Sequence, residues 1–367
     1  MANEYTKRDP VYVTKATVPD PSEYVAYITR LLDSRQLTNM GKLAILLEQR
    51  LCTFLNVPRF ALCTNGTLAL QLALRAAHLT GKEVITTPFS YVASLSALLW
   101  EGCVPVFVDI DEETLCMDPA KAENVISNET GAILPVHIYG APCDIESIAT
   151  LAEKFGLTTI YDAAQAFGTL YNGKSLLTYG DFSTASFHAT KVFHTVEGGG
   201  IVCNTAEADQ QIRLFRSFGH IGDTHYTLGI NAKITEPHAA MGLCLLDRVP
   251  ENIAGRKRIS LAYDALLPVH GVRKPLQRPG TMYNHAYYPI IFENAEVMQR
   301  SLACMNRENI FPRRYFYPAL NTLPYLSTRT NCPLAESISS RILCLPLYAE
   351  LEERIVERIM RIIQKSL

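Results

Sequence analysis

The chain predicts an α/β fold: a large N-terminal domain built on a mostly parallel, seven-stranded sheet, followed by a smaller α+β domain. Three observations carry that expectation. Short apolar, β-branched runs alternate with longer amphipathic ones from Leu51 to about Cys203. After Gly200 the pattern lengthens into helices. And 367 residues suffice for a substantial core without disulfide or metal staples. The expected strands cover 59–63, 83–87, 104–108, 132–136, 157–162, 182–186 and 200–203. Helices are expected between them at 67–78, 90–100, 119–126 and 145–155, the last with Ile145, Ile148, Leu151 and Ala152 at helical spacing. A sheet of this kind gathers its strand C-terminal ends into a rim where ligands bind.

Downstream, helical patterns cover 207–218, 236–247 and 253–266, so a boundary near 248–251 would divide the chain into 1–248 and 249–367. The second part reads as a strand at 287–292, a helix at 296–308 and a terminal helix at 350–365 with Leu351, Ile355, Ile359 and Ile362 on one side. The net charge of −2 provides no basic field for nucleic acid or an anionic membrane. Ten cysteines without a C-x-x-C pair argue against a zinc ribbon, a thioredoxin-like site and a disulfide framework, and no metal site is expected. With a polar N-terminus, the expectation is a soluble, cytoplasmic protein.

Four strand ends carry the residues with chemistry. In T-I-Y-D-A-A-Q-A-F-G, Asp162 ends an apolar strand, where a carboxylate needs either a cationic partner or a helix to cap. A protonated pyridine nitrogen would be such a partner, and Gln165 could then donate to a phenolate on the same ring. In F-S-T-A-S-F-H-A-T-K-V-F-H-T-V-E-G-G-G, Lys191 follows an apolar strand and is flanked by Val192 and Phe193, surroundings that lower an amine's pKa as a Schiff-base lysine requires. Ser186 offers a hydroxyl to a phosphate, and residues 197–200 supply a turn that lets backbone pass near a ligand. His188 and His194 lack a third ligand and read as local hydrogen-bonding residues rather than metal ligands.

In C-T-N-G-T-L-A-L-Q-L-A-L a strand end leads into Asn-Gly-Thr and a helix, aiming backbone N–H groups of Gly66 and Thr67 at an anion, although Gly-Thr at a helix start is often only structural. In T-T-P-F-S-Y-V-A-S, Tyr91 either stacks on a flat cofactor or packs in the core. Together, in the order phosphate loop, aromatic, ring aspartate and Schiff-base lysine, they compose a site for pyridoxal 5′-phosphate. Further on, residues 311–325 (F-P-R-R-Y-F-Y-P-A-L-N-T-L-P-Y) combine arginine and aromatics, as a nucleotide diphosphate would require, with Arg314 and Tyr317 as candidate substrate contacts; a strand with solvated arginines is the alternative.

These residues resemble the sugar aminotransferase family named after DegT, a branch of the pyridoxal phosphate-dependent aspartate aminotransferase fold. D-A-A-Q-A, S-F-H-A-T-K and E-G-G carry the likeness. So do S-R-Q-L-T-N-M-G-K-L-A-I-L-L-E from Ser34, L-P-V-H-I-Y-G-A-P-C-D from Leu134 and L-G-I-N-A-K-I-T-E-P-H-A-A-M-G from Leu228. The resemblance implies a homodimer with composite sites, with Lys191 on the cofactor, Asp162 on the ring nitrogen and Asn231 reaching the phosphate of the neighbouring subunit. It also implies L-glutamate as amino donor and a nucleotide-linked keto sugar as acceptor. Dehydratase members carry histidine where this chain has Lys191, which favours transamination. Lys42, Lys233 and Asn321 stand where the family often has proline, arginine and histidine; Lys233 is a candidate substrate contact. The wording is most like members that aminate C4 of dTDP-4-keto-6-deoxyglucose, with a 3-keto or UDP-linked sugar, or a non-catalytic regulator, as alternatives.

Overall fold

The computed structural model describes residues 9–327 and 329–367. Seven strands form the central sheet: β1 (Ala61–Cys63), β2 (Glu83–Thr86), β3 (Val104–Phe107), β4 (Thr130–Leu134), β5 (Thr158–Asp162), β6 (Phe182–Ser186) and β7 (Gly199–Cys203). Their spatial order is β1-β7-β6-β5-β4-β2-β3. The run from β6 to β3 is parallel, whereas β7 lies antiparallel to both its neighbours. A parallel return usually runs through a helix, and none is described between β6 and β7; the chain turns and re-enters the sheet from the end it left. Hydrophobic patterning locates such a strand but carries no direction.

Among the described residues twelve α-helices surround this sheet and the C-terminal layer: α1 (Pro21–Ser34), α2 (Lys42–Leu55), α3 (Gly66–Ala76), α4 (Val92–Trp100), α5 (Pro119–Glu123), α6 (Ile145–Phe155), α7 (Ala206–Phe215), α8 (Glu236–Leu245), α9 (Val249–Leu266), α10 (Ala295–Arg307), α11 (Pro333–Ser340) and α12 (Glu353–Ser366). Their starts follow local chemistry. The side chains of Asp144, Thr205 and Asn294 accept from the third residue beyond them and cap α6, α7 and α10. The gap expected between the helices at 236–247 and 253–266 closes to one 3₁₀ turn, Leu246–Arg248, because Pro250 sits in the first turn of α9, where its missing N–H is not needed.

A second, antiparallel sheet, β8 (Val272–Arg273), β9 (Tyr288–Phe292) and β10 (Ile342–Leu345), has β9 in the middle. Its core joins Tyr263, Ile290, Phe292, Met298, Leu343 and Ile359. Val11 belongs to the same cluster, since Val11–Tyr12 pairs in parallel with Ile310–Phe311. All ten cysteines are free thiols and most are buried.

The edge strand β1 is fixed by a buried charge cluster. Glu48, on α2, accepts from Leu62 N–H at 2.9 Å, and its two oxygens meet Arg216 and Arg213 at 2.7 Å each. Arg216 is 3 % exposed and also donates to the Leu62 carbonyl at 2.5 Å. Glycines complete the fit: a Cβ on Gly200 would lie 2.2 Å from the Phe60 ring, and one on Gly199 would lie 2.6 Å from the Asn65 carbonyl carbon. The glycine run thus brings β7 against the loop after β1. Removing Glu48 would leave Arg216 a buried, unpaired cation, so Glu48→Ala is expected to lower unfolding stability by about 3–5 kcal/mol in chemical denaturation.

Candidate active site

The loop after β1 enters α3 through Asn65, whose side-chain oxygen accepts from Leu68 N–H at 2.9 Å. The N–H groups of Gly66 and Thr67 open the first turn, and neither has a protein acceptor among the described residues. Ser186 closes one side: a Cβ on Gly66 would sit 2.9 Å from Ser186 Cβ, so only glycine allows α3 this close to the end of β6. Thr64 N–H donates to the Ala232 carbonyl at 2.8 Å and its hydroxyl to the Lys233 carbonyl at 3.1 Å, which seats residues 231–233 beside the loop. The Asn231 side chain is exposed there. Lys233 Nζ lies 4.9 Å from the centre of the Phe218 ring, with its pKa lowered by burial and by nearby Arg216.

Asp162 ends β5 buried, and no helix follows it, which removes the capping alternative. Its carboxylate accepts from Ser94 Oγ at 2.7 Å and Ala164 N–H at 3.1 Å, and Ser90 Oγ lies 2.9 Å behind Ser94. Burial raises its pKa, against the lowering effects of Ser94, Ala164 and Lys191. Three residues on, the Gln165 carbonyl oxygen accepts from Tyr139 N–H at 2.7 Å, which leaves the Gln165 NH₂ as the donating end. Tyr91 precedes α4 and is 59 % exposed, so it is not a core tyrosine.

Lys191 lies in the turn beyond β6, its N–H on the His188 carbonyl at 2.9 Å. Burial lowers its amine pKa, with Asp162, Tyr315 and Tyr91 opposing. Nζ donates to Tyr287 Oη at 3.4 Å. His188 bonds within its own turn to Thr190 and His194 to the Thr17 carbonyl. Among the described residues, no group of histidine, cysteine and carboxylates could hold a metal ion.

Arg314 packs its guanidinium 3.3 Å from the centre of the Tyr317 ring and donates to the Ser340 carbonyl at 3.3 Å. Arg313 instead lies over Tyr315, which sits edge-on to Tyr287. Thus the structure gathers Gly66, Ser186, Asp162, Gln165 and Lys191 at the strand ends. It ties Arg314 and Tyr317 to each other, and among the described residues Lys191 Nζ bonds Tyr287 rather than either of them. Sequence reasoning missed Ser94, Tyr139 and Tyr287; the run Tyr287–Tyr288 before a strand was the only local trace of the last.

A model of the DegT/DnrJ/EryC1/StrS aminotransferase family matches residues 20–364. The chain belongs to that family. It is 41% identical over 363 residues to a dTDP-4-amino-4,6-dideoxy-D-glucose transaminase of Shigella dysenteriae, covering 97% of this chain and 99% of that one. It is 32% identical to a GDP-perosamine synthase of Vibrio cholerae over 92% and 94% of the two chains. Among solved structures, DesI in the presence of its TDP-sugar product superposes with a TM-score of 0.92 at 31% identity, covering 98% of this chain and 93% of that one.

Members of this family are pyridoxal 5′-phosphate-dependent sugar aminotransferases, and so is this protein. The donor set fits the cofactor: free helix N-terminal N–H groups suit its phosphate, a buried carboxylate without an ion pair suits its ring nitrogen, and a buried amine suits its aldehyde. A lysine held below its ordinary pKa becomes the neutral nucleophile at lower pH. Visible absorbance on adding cofactor to cofactor-free protein is therefore expected to form faster as pH rises, with a midpoint below that of ordinary lysine. Lys191→Ala is expected to give no such band.

Proposed function

We propose that the protein transfers the amino group of L-glutamate to C4 of dTDP-4-keto-6-deoxy-D-glucose, giving the 4-amino-4,6-dideoxy sugar nucleotide. The observation that carries the reaction type is Lys191 on the strand-end rim with Asp162, its amine buried beside Tyr287. For the sugar, support comes from two relatives covered almost end to end, at 41% and 37% identity, both named dTDP-4-amino-4,6-dideoxy-D-glucose transaminase. GDP-perosamine synthases follow at 31–34%, which makes a GDP-linked sugar the second reading.

When bound, the cofactor supplies an electron sink that stabilises negative charge on the carbon losing its proton. The chain's own groups do the rest. Lys191 Nζ holds the cofactor, then carries the proton from one carbon to the other. Asp162 would keep the ring nitrogen protonated, and the donors Ser94 and Ala164 oppose the effect of its burial. Gly66, Thr67 and Ser186 would hold the phosphate, Gln165 would donate to the ring oxygen, and Tyr91 would stack on the ring. Arg314, Tyr317 and Lys233 contact the nucleotide sugar.

The active unit in this reading is a homodimer in the cytoplasm, and Asn231 of the partner subunit completes the phosphate site. Support comes from the arm that carries Asn231, which exposes Tyr226 and Leu228, the latter by 81 %. No described helix is long and apolar enough to cross a membrane. A division into two domains at 249 belongs to the same proposal: a second hydrophobic cluster lies mostly after that point, although the larger cluster also takes in Ala286, Phe316 and Ile338.

Purified protein incubated with glutamate and dTDP-, GDP- or UDP-linked keto sugars tests the substrate by mass spectrometry. The dTDP 4-keto sugar is expected to lead in kcat/KM by about tenfold or more; faster turnover of a GDP-linked or 3-keto sugar would overturn the assignment. Mixing inactive Lys191→Ala with impaired Asn231→Ala protein tests the shared site. Exchange of subunits is expected to restore activity, because one site of each mixed dimer regains both groups; a mixture no more active than its components would refute sharing.

A further inference from the structure

Tyr287 is 8 % exposed, and its hydroxyl oxygen accepts from Lys191 Nζ at 3.4 Å, the one hydrogen bond that the amine makes among the described residues. The phenol's own proton has no acceptor among those residues. The ring is locked on two sides, edge-on to Tyr315 at 5.7 Å and 89°, and tilted against Tyr139 at 5.7 Å. Burial pushes the phenol's pKa upward, so the hydroxyl stays protonated.

What places Tyr287 is the cofactor side of the molecule rather than its own strand. Asn284, fully buried, donates to the Gln165 and Phe167 carbonyls at 2.8 and 2.9 Å and accepts from Ala286 N–H at 3.0 Å. Tyr283 Oη donates to the Tyr139 carbonyl at 2.8 Å. Tyr139 in turn holds Gln165 through its own N–H. The turn before β9 is therefore bolted to the loop that carries Asp162 and Gln165, and the Tyr287 hydroxyl is delivered to Nζ in a fixed relation to both.

We propose that Tyr287 is a positioning residue for the transamination: its hydroxyl holds the Lys191 amine over the reacting carbon whenever Lys191 is free of the cofactor, in both halves of turnover. This rests on the reading of Lys191 as the proton carrier. A lysine has four rotatable bonds, and once it is released a single directional contact to a rigid phenol narrows the positions that Nζ samples. At 3.4 Å the contact is long, so it guides the amine without trapping it. Proton transfer depends steeply on such placement.

Tyr287→Phe tests the proposal, since phenylalanine keeps the ring that packs on Tyr139 and Tyr315. The variant is expected to bind the cofactor and show its visible band. Both half-reactions, followed separately with glutamate and with keto sugar, are expected to slow on the order of 10- to 100-fold. The effect of deuterium at C2 of glutamate should grow, as proton transfer becomes limiting. In cofactor-free protein the pH midpoint for forming the visible band should fall, because the ammonium form loses an acceptor. Unchanged rates, isotope effect and midpoint would show that only the ring matters and overturn the proposal. Slowing confined to the sugar half-reaction would do the same, pointing to substrate contact instead. Lys191→Ala assayed alongside separates the two claims. If it still turns over, the reading of Lys191 fails; if it is inert while Tyr287→Phe matches the unaltered protein, only the role of Tyr287 fails.

Discussion

Asp162 and Lys191 stand at the ends of neighbouring parallel strands, and burial drives each toward its neutral form, the carboxyl upward and the amine downward. Each is pulled back by the charge of the other without a direct ion pair joining them. The register that sets Asp162 opposite Thr184, two residues before the end of β6, makes this arrangement a property of the sheet rather than of a flexible loop. A carboxyl whose burial is opposed by donors from Ser94 and Ala164, near an amine whose pKa burial lowers, is suited to a cationic ring and an aldehyde at once.

Around that pair the polar contacts form layers. Tyr139 uses its N–H for Gln165, its carbonyl for Tyr283 and its hydroxyl for the Tyr315 carbonyl, although its φ of 57° is uncommon for a residue other than glycine. Next to it, Gly140 has a φ of 89°, and a Cβ there would lie 2.4 Å from the Gln165 carbonyl oxygen. This tight turn links the end of β4 to the C-terminal layer through Tyr315. Tyr315, edge-on to Tyr287 and under Arg313, is thereby referred to the same frame as Gln165.

The strand-end residues were legible because a charged or glycine-rich break after an apolar run has few explanations: Gly66, Asp162 and Lys191 all stand out in this way. Ser94 and Tyr287 do not. A serine inside a helix and a tyrosine before a strand are ordinary locally, and their partners lie 68 and 96 residues away. Arg313 and Arg314 are adjacent in sequence but stack on different rings, and composition cannot say which arginine takes which. The fold class was read from alternating apolar patterns, whereas the reversed direction of β7 was not, because periodicity is the same in either direction.

That reversed strand also orders events as the chain is made. The anion loop hangs on β1, whose single neighbour in the sheet is β7, contributed by residues 199–203. Until that stretch has left the ribosome, the loop at Gly66 lacks the wall that positions it, even though its own sequence was completed well over a hundred residues earlier. Lys191 emerges only shortly before the same stretch. Contacts of such long range form late and slow folding. The wall behind the Gly66 loop and the turn that carries Lys191 thus come from one stretch of chain, and both depend on the same long-range strand pairing.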